Sequence, residues 1–288
     1  MRRCLRCENG WNDDGWTCRR CGFAPETIGG FPAFAPALAA ENPNYPSGYF
    51  DILAEVDRQH FWFRARGAMV TWAMRRHFGA PRAVMEIGCG VGGMLARIRA
   101  AFPNAALAGS DIHTAALPYA AARVPGAALL QMDATAIPFA EEFDVVAACD
   151  VIEHIERDDL ALAAMHRALR PGGGIVITVP QDPRLWSAWD EASRHQRRYR
   201  REELVERVRA AGFAVERVLS MSSLLYPLMR LARRRYRGAA SCEAGDELKV
   251  AAPVNFALSR VMDAERFLLR RGIDFPFGGS LLLVGRRA

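Results

Sequence analysis

The sequence predicts an α/β fold in which helices cover both faces of a doubly wound, mostly parallel sheet, with a small four-cysteine module in front. Strand-like and helix-like segments alternate between residues 83 and 180, and the glycine-rich stretch VMEIGCGVGG (84–93) includes the end of the first of these strands. Two C-x-x-C pairs lie in the first 21 residues. Alternation of this kind produces parallel strands joined by helices.

Composition limits the classes of protein to consider. The chain has 288 residues and is 51% hydrophobic, enough for a large core and one to two domains of roughly 150 residues each. No segment reaches the roughly 20 apolar residues of a membrane-spanning helix, and Cys4 lies too close to Met1 for a signal peptide. We therefore expect a cytoplasmic location, with peripheral attachment to the inner face of the membrane as an open alternative.

The positive charge does not by itself indicate nucleic-acid binding. The net charge is +6, and Lys249 is the only lysine, so nearly all of the basic residues are arginines. They cluster at 194–201 and 230–237. A solvated surface is the favoured interpretation of both clusters.

The cysteine pairs have the spacing of a metal site. Each C-x-x-C pair places two thiolates on one tight turn, and two such turns joined by a hairpin close a tetrahedron around Zn²⁺ with no open position. Such a site is structural. Disulfides are disfavoured in a reducing compartment, and iron is the main competitor of zinc. The four ligands are Cys4, Cys7, Cys18 and Cys21.

We expect these cysteines to form a zinc ribbon over 1–30, followed by a linker over the proline-rich segment 31–48 and a catalytic domain over 49–288. The metal would supply much of the folding free energy of so small a ribbon. Its role is contact with a protein partner, a macromolecular substrate or the rest of the chain, and the sequence does not separate these.

The main domain begins with helical periodicity from residue 50 and continues with alternating elements. Helices are predicted at about 92–101, 114–123, 158–169 and 201–211, and a helical insertion at about 220–279. The predicted strands are AVMEIG, ALAGSDI, ALLQMDA, FDVVAACD, GGIVITVP, FAVERVLS and SLLLVGRR.

Acidic or glycine-rich stretches follow four of these strands, where ligands bind in parallel α/β sheets. Asp111, Asp133 and Asp150 each follow a strand, and Asp111 lies 21 residues after Gly90, which suits a carboxylate that binds a ribose diol. The glycine loop also matches the dinucleotide pattern G-x-G-x-x-G through Gly88, Gly90 and Gly93. An NAD oxidoreductase is therefore the first alternative.

From residue 50 onward the chain resembles the class I S-adenosylmethionine-dependent methyltransferases. The matching stretches are VMEIGCGVGG, GSDI, QMDATAIPF, EFDVVAACDVIEHI, LRPGGGIVITVP and SLLLVGRR. The resemblance implies a Rossmann-like seven-stranded sheet, a methionine moiety near Glu86, adenine packed on Ile112 and ribose hydroxyls on Asp111. The implied cofactor-binding residues are Glu86, Gly88, Cys89, Gly90, Gly92, Asp111, Ile112, Asp133, Ala134 and Asp150.

The ligand's charge favours a sulfonium over a dinucleotide. A pyrophosphate needs backbone N–H groups at a helix start, whereas S-adenosylmethionine has no phosphate and carries an ammonium that prefers a carboxylate. Glu86 lies two residues before Gly88. The loop therefore favours S-adenosylmethionine over NAD.

Two histidines are the candidate catalytic residues, His154 and His195. In ubiquinone-pathway O-methyltransferases, which the segment DVIEHI resembles, a carboxylate-x-x-Glu-His pattern holds a divalent cation. Asp150, Glu153 and His154 match it with Asp in place of Glu. His195 lies in an H-x-R-R-Y element whose arginines would hold an anionic group such as a phosphate or remain solvated. A general base, a cation ligand and a histidine that only makes structural hydrogen bonds all remain open.

The acceptor is expected to be a small molecule, a lipid-linked compound or a sugar. Apolar residues precede arginines in 222–237, which fits either packing over the sheet or peripheral contact with an anionic membrane. An RNA methyltransferase that uses the ribbon for RNA contact is the main alternative, although the fourth strand is followed by CDVIEHI and not by the Asn/Asp-Pro-Pro-aromatic stretch of amino-directed enzymes. A non-catalytic interaction module is the least favoured.

Overall fold

The computed structural model describes residues 1–13, 15–39, 48–235 and 250–288. The strands are β1 (Arg2–Arg3), β2 (Gly10–Trp11), β3 (Glu26–Ile28), β4 (Phe31–Ala33), β5 (Ala83–Ile87), β6 (Ala106–Asp111), β7 (Ala128–Gln131), β8 (Phe143–Cys149), β9 (Leu169–Pro180), β10 (Phe213–Met221) and β11 (Ser280–Arg287).

The α-helices alternate with these strands through the main domain. They are α1 (Pro36–Ala39), α2 (Tyr49–Val56), α3 (Phe61–Phe78), α4 (Gly93–Ala101), α5 (Leu117–Arg123), α6 (Asp158–Ala168), α7 (Ala188–Ala192), α8 (Arg201–Ala210), α9 (Tyr226–Arg235) and α10 (Ala252–Arg270). Single 3₁₀ turns cover Thr114–Ala116, Ile152–His154 and Pro183–Leu185.

The main sheet has the order β10-β11-β9-β8-β5-β6-β7-β4-β3. Strands β5 to β9 are parallel, and β11 lies antiparallel between β9 and β10. The chain runs from β5 outward through β6 and β7, then returns to β8 on the other side of β5. The strand order reverses beside β5, and this reversal opens a crevice at the carboxyl ends of the strands. The predicted Rossmann-like architecture is confirmed.

Apolar clusters on both faces explain why the strands are hydrophobic throughout. All five residues of β5 are buried, as expected for a parallel strand covered on both sides. Side chains of α6 and α8 pack on one face, and those of α3, α4 and α5 pack on the other. Buried residues from these helices include Leu162, Met165, Leu204, Val208, Met69, Met74, Leu95, Ile98 and Leu117.

The structure of the N-terminal segment differs from the prediction in the number of strands in the sheet and in the start of the linker. Strands β3 and β4 form an antiparallel hairpin, and Ala33 of β4 pairs in parallel with Gln131 of β7. The hairpin brings the sheet to nine strands and covers an edge of β7 whose backbone groups would otherwise be unpaired. Residues 31–33 are therefore a strand and not the start of a linker, while 40–47 lie outside the described residues.

The boundaries of four helices differ from the predicted ones, and the differences at α5 and α6 have a clear local cause. The segment predicted as a helix at 114–123 begins as a 3₁₀ turn and becomes α5 at Leu117, with Pro118 in the first turn, where proline is tolerated. Helix α6 ends at Ala168 because β9 already begins at Leu169.

The described part of the insertion between β10 and β11 contains helices α9 and α10, whereas residues 236–249 lie outside the described residues. Helix α10 packs along α3, and Leu225 and Tyr226 at the start of α9 are buried. Leu228 and Leu231 of α9 are each 56% exposed. Packing over the sheet, the favoured interpretation of 222–237, therefore holds for only part of this segment. Residues 236 and 237 lie outside the described residues. None of the described helices is long and apolar enough to cross a bilayer.

Candidate functional site

The glycine loop after β5 combines tight packing with one open position. Gly88 has a φ of 67°, and a Cβ there would lie 2.4 Å from Cγ2 of Val151. Gly90 has a φ of 50°, and a Cβ there would meet no atom within 4 Å. Glycine at 88 is thus required by its neighbour and its backbone conformation, whereas Gly90 leaves its backbone accessible to a ligand.

Asp111, at the end of β6, holds this loop in place. Its Oδ2 accepts a hydrogen bond of 2.8 Å from the Gly90 N–H, and its Oδ1 accepts one of 2.9 Å from the His113 N–H. Burial raises the pKa of Asp111, and these backbone hydrogen bonds oppose that effect. Because each carboxylate oxygen can accept more than one hydrogen bond, Asp111 retains acceptor capacity for a ribose hydroxyl.

Glu86 is a buried acid with incomplete hydrogen bonding. It is 2% exposed, and its Oε2 has no hydrogen-bond partner among the described residues. Burial raises the pKa of Glu86 well above its ordinary value, and the charge of Arg66 opposes the rise. A buried carboxylate oxygen without a donor is costly, so this position favours a ligand that brings a positively charged donor.

The adenine side of the expected site is connected to the N-terminal segment. The Gln131 side chain donates to the Ile112 carbonyl at 3.1 Å and exchanges two hydrogen bonds with the Ala35 backbone, at 2.8 and 3.0 Å. Asp133 accepts a hydrogen bond of 2.8 Å from the Thr135 N–H, and Ala134 is buried. The segment after β4 therefore supports the turn that carries Ile112.

Asp150 pairs with an arginine that the sequence analysis missed. Its Oδ1 accepts a hydrogen bond of 2.9 Å from Thr178, and its Oδ2 forms an ion pair with Arg66 of α3. The pKa of Arg66 is raised by the charge of Asp150, although burial opposes this. Nothing in the pattern of α3 distinguishes Arg66 from its neighbouring arginines, because only the tertiary fold brings it to β8.

Both candidate histidines lie in one cluster. The rings of His154 and His195 are 4.7 Å apart in an edge-to-face arrangement. One ligand atom each from Glu153, His154 and His195 lies within 4.8 Å of the others. Asp150, expected in this set, is not part of it. His195 takes that place because the loop after β9 folds over the 3₁₀ turn that contains His154.

Burial controls the ionisation of this cluster. It lowers the pKa of His154 to about 4, and the charge of His195 adds to the effect. It also raises the pKa of Glu153 well above its ordinary value, and neither carboxylate oxygen of Glu153 has a hydrogen-bond partner among the described residues.

Asp190 fixes the orientation of His195. Its Oδ1 lies 3.0 Å from Nδ1 of His195 and 2.6 Å from Nε of Arg198, and its Oδ2 lies 2.7 Å from Nη1 of Arg233. Burial would raise the pKa of Asp190, but the hydrogen bond from His195 and the two arginine charges lower it to about 2. The ionised carboxylate therefore holds the imidazole by Nδ1 and leaves Nε2 for other contacts.

The arginines of the H-x-R-R-Y element are neither solvated nor free for an anion. Arg198 is buried against Asp190, and Arg197 lies 2.8 Å from Asp158. Tyr199 is fully buried and donates to Asp158 at 2.6 Å. Both interpretations offered for this element are wrong for Arg197 and Arg198, which serve to anchor the loop. The only sequence signal for Asp190 is its position five residues before His195.

The four N-terminal cysteines form a compact cluster. The sulfur atoms of Cys4 and Cys21 are 3.6 Å apart, as are those of Cys7 and Cys18, and all four thiols are free. A tetrahedral zinc site with bonds of about 2.3 Å places its sulfurs about 3.8 Å apart, whereas a disulfide needs about 2 Å. The arrangement fits a four-thiolate metal site.

The cysteine module packs against the main domain. The Arg3 N–H donates to the Pro138 carbonyl at 3.0 Å. The Trp16 ring lies 4.9 Å from that of Phe34 and 5.6 Å from that of Phe139, edge to face in both cases. The sequence left open whether the module contacts a protein partner, a macromolecular substrate or the rest of the chain. The structure shows contact with the rest of the chain.

The ion pair of Arg66 and Asp150 generates a stability prediction. Arg66→Gln leaves Asp150 and Glu86 without their nearby positive charge, so we expect a loss of about 3 kcal/mol in the free energy of unfolding at pH 7. The adjacent Arg64→Gln, on an exposed side chain of the same helix, should change it by less than about 0.5 kcal/mol. Urea unfolding measures both, and equal values would contradict the assigned role of the pair.

Comparison with known proteins agrees with this geometry. Residues 85–177 match the family described as "Methyltransferase domain". A malonyl-[acyl-carrier protein] O-methyltransferase of Methylococcus capsulatus is 31% identical over 48% of this chain and 54% of its own length. A ubiquinone biosynthesis O-methyltransferase of Pseudomonas paraeruginosa is 32% identical over 41% of this chain and 53% of its own.

The chain thus spans about half the length of these curated relatives. A solved phosphoethanolamine N-methyltransferase of Haemonchus contortus, bound to phosphomonomethylethanolamine and S-adenosylhomocysteine, has a TM-score of 0.55 at 19% identity, over 85% of this chain and 58% of that one. At that identity the likeness concerns the fold alone. Together with the strand order and the glycine loop, these matches show a Rossmann-like fold in which residues 85–177 are similar to a methyltransferase domain.

Proposed function

We propose that the protein transfers a methyl group from S-adenosylmethionine to a small-molecule acceptor. The observation that carries this proposal is the buried Oε2 of Glu86, which has no hydrogen-bond partner among the residues that the structure describes and lies next to a glycine loop that is open at Gly90. The donor set fits the cofactor, since Glu86 would meet the ammonium, Gly90 would allow close approach and Asp111 would accept from the ribose. When bound, the cofactor supplies a methyl group already activated by its sulfonium.

The same loop is unsuited to a dinucleotide. The Cys89 N–H donates to the Ser110 carbonyl at 2.8 Å, the Gly92 N–H donates to the Cys89 carbonyl at 2.8 Å, and the Gly90 N–H donates to Asp111. A pyrophosphate requires such N–H groups to be free. Three of the loop donors already have acceptors, which argues against NAD.

The cofactor assignment is tested by Asp111→Asn. An amide at this position presents an N–H to a backbone donor, so we expect binding of S-adenosylmethionine and S-adenosylhomocysteine to weaken at least about tenfold. Isothermal titration calorimetry on wild type, Asp111→Asn and the exposed control Asp159→Asn makes the comparison, with NAD as a separate ligand. Binding of NAD alone by the wild type would overturn the proposal.

The acceptor class is inferred from the named relatives and the histidine cluster. The two curated relatives are O-methyltransferases, and a hydroxyl acceptor needs a group that takes its proton. We propose that Nε2 of His195 takes this proton while Asp190 holds the Nδ1–H. Asp190 and its arginine partners act as positioning residues, because they contact His195 and not the acceptor.

A divalent cation at the same cluster is the second candidate role. Two imidazoles and one carboxylate are a common ligand set for divalent metals. Neither carboxylate oxygen of Glu153 has a hydrogen-bond partner within the described ranges, which favours a positive charge beside them. A cation held by Glu153, His154 and His195 would bind and orient the acceptor oxygen, and His195 would then not serve as the base.

These two roles are separated by metal titration of the chelator-treated protein. If His195 is a base, we expect no saturable Mn²⁺ binding outside the cysteine module, measured by calorimetry with the zinc content held constant. Binding that is lost in Glu153→Gln but retained in the exposed neighbour Glu156→Gln would instead assign the cluster to a cation.

We further propose that the four cysteines bind one structural Zn²⁺. The sulfur spacing supports this, as does the donation from the Arg6 N–H to Sγ of Cys4 at 3.4 Å, since such donors stabilise a metal-bound thiolate. The bound zinc would fix the fold of the cysteine module, and Trp16 of this module packs against Phe139 of the main domain. Zinc would thereby stabilise the edge of the sheet that carries the adenine side.

The zinc proposal predicts a metal-dependent change in stability. We expect one zinc per chain in the wild type by elemental analysis, with less zinc and a lower melting temperature in Cys18→Ser. Arg20→Gln, an exposed change in the same turn, should retain both. Full zinc content in Cys18→Ser would contradict four-cysteine ligation.

We also propose that the acceptor is lipid-linked or a sugar and that the protein contacts a membrane surface peripherally. Exposure of Leu228 and Leu231 beside the arginines of α9 supports contact with an anionic membrane surface. An RNA acceptor and a protein partner of the cysteine module have no comparable support.

A further inference from the structure

A cavity of about 440 Å³ lies between α3, α4 and α10. None of the residues expected to contact the cofactor or the acceptor lines it. Five arginines and a single acid, Asp263, contribute to its walls. These arginines are Arg58, Arg64, Arg75, Arg97 and Arg266.

The positive charge of this arginine cavity is only partly compensated. Arg97 lies 3.0 Å from Asp57, and Arg266 lies 2.9 Å from Asp263. The side chains of Arg58 and Arg64 form no ion pair or hydrogen bond with any residue in the described ranges 1–13, 15–39, 48–235 and 250–288. Two guanidinium groups at the rim are therefore available to an anion.

The neighbouring arginines show the effect of this crowding. Burial lowers the pKa of Arg270, and the charges of Arg266 and Arg75 lower it further. Burial also lowers the pKa of Arg123, and the charges of Arg58 and Arg97 add to this effect. The charge of Asp57 opposes it. Positive potential thus extends around the arginine cavity.

The interior of the cavity contains a polar group that lacks a partner. Ser259 is 7% exposed, and its Oγ forms no hydrogen bond with a described residue. A buried hydroxyl without a partner is unusual and calls for a ligand or a water. Four alanines also line the cavity and leave room for one, namely Ala65, Ala68, Ala100 and Ala101, whereas the Arg97 side chain fills the space beside Gly67.

From these observations we propose that the arginine cavity binds a phosphate-bearing small molecule at a second site, separate from the methyl-transfer site. Guanidinium groups match the geometry and charge of phosphate oxygens, and Ser259 would donate to one of them. The volume suits a small organic phosphate. Helix α3 borders both sites, because it carries Arg64 at the cavity and Arg66 at Asp150.

The test is calorimetric titration of the full chain with inorganic pyrophosphate at low ionic strength, with saturating S-adenosylhomocysteine in cell and syringe. We expect saturable binding by the wild type and about tenfold weaker binding by Arg64→Gln, since a charge-assisted hydrogen bond is lost. Ser259→Ala should also weaken binding, whereas Arg209→Gln, an exposed change of equal charge on α8, should not.

A parallel measurement identifies the source of the phosphate. Co-sedimentation with phosphatidylcholine vesicles, with and without phosphatidylglycerol, reports binding of a lipid headgroup. Vesicle binding that depends on Arg64 would assign the arginine cavity to a headgroup, and pyrophosphate binding alone would assign it to a soluble phosphate. Absence of both saturable pyrophosphate binding and Arg64-dependent vesicle binding, or equal weakening of pyrophosphate binding by Arg64→Gln and Arg209→Gln, would overturn the proposal.

Discussion

The pairing of β5 with both β6 and β8 is the constraint on which the site depends. Five residues of β5 pair with β6 on one side, and four of them pair with β8 on the other. The chain leaves β5 in one direction and later returns on its other side, so that a crevice opens at the carboxyl end of this strand. The glycine loop, Asp111 and Asp150 meet at that opening, and the remaining elements determine what they contact there.

Buried acids and arginines organise the crevice. Asp150 is paired with Arg66, and Asp190 is surrounded by His195, Arg198 and Arg233. Glu86 and Glu153, in contrast, have carboxylate oxygens without a hydrogen-bond partner in the described part of the chain. Burial raises the pKa of both glutamates. The paired acids are positioned by the protein, and the unpartnered ones mark the places where a positively charged group would be favourable.

The N-terminal segment is structurally part of this arrangement. Trp16 packs on Phe34 and Phe139, and the Gln131 side chain links Ala35 to Ile112. A metal bound by the cysteines would stabilise this edge of the sheet because it fixes the module against which the edge packs. The insertion has an equivalent connection, since Arg233 of α9 reaches Asp190.

The sequence by itself determined the α/β class, the succession of the main strands along the chain, the glycine loop and the grouping of the four cysteines into one cluster. These features depend on local periodicity and on residues close together in the chain, which are read directly. Only the tertiary structure decided that β3 and β4 extend the sheet, that Arg66 neutralises Asp150, and that His195 joins Glu153 and His154. Each of these contacts joins segments distant in the chain, and an arginine or histidine carries no local signal of its partner. The arginine cavity has the same origin, because its residues come from three helices and one loop.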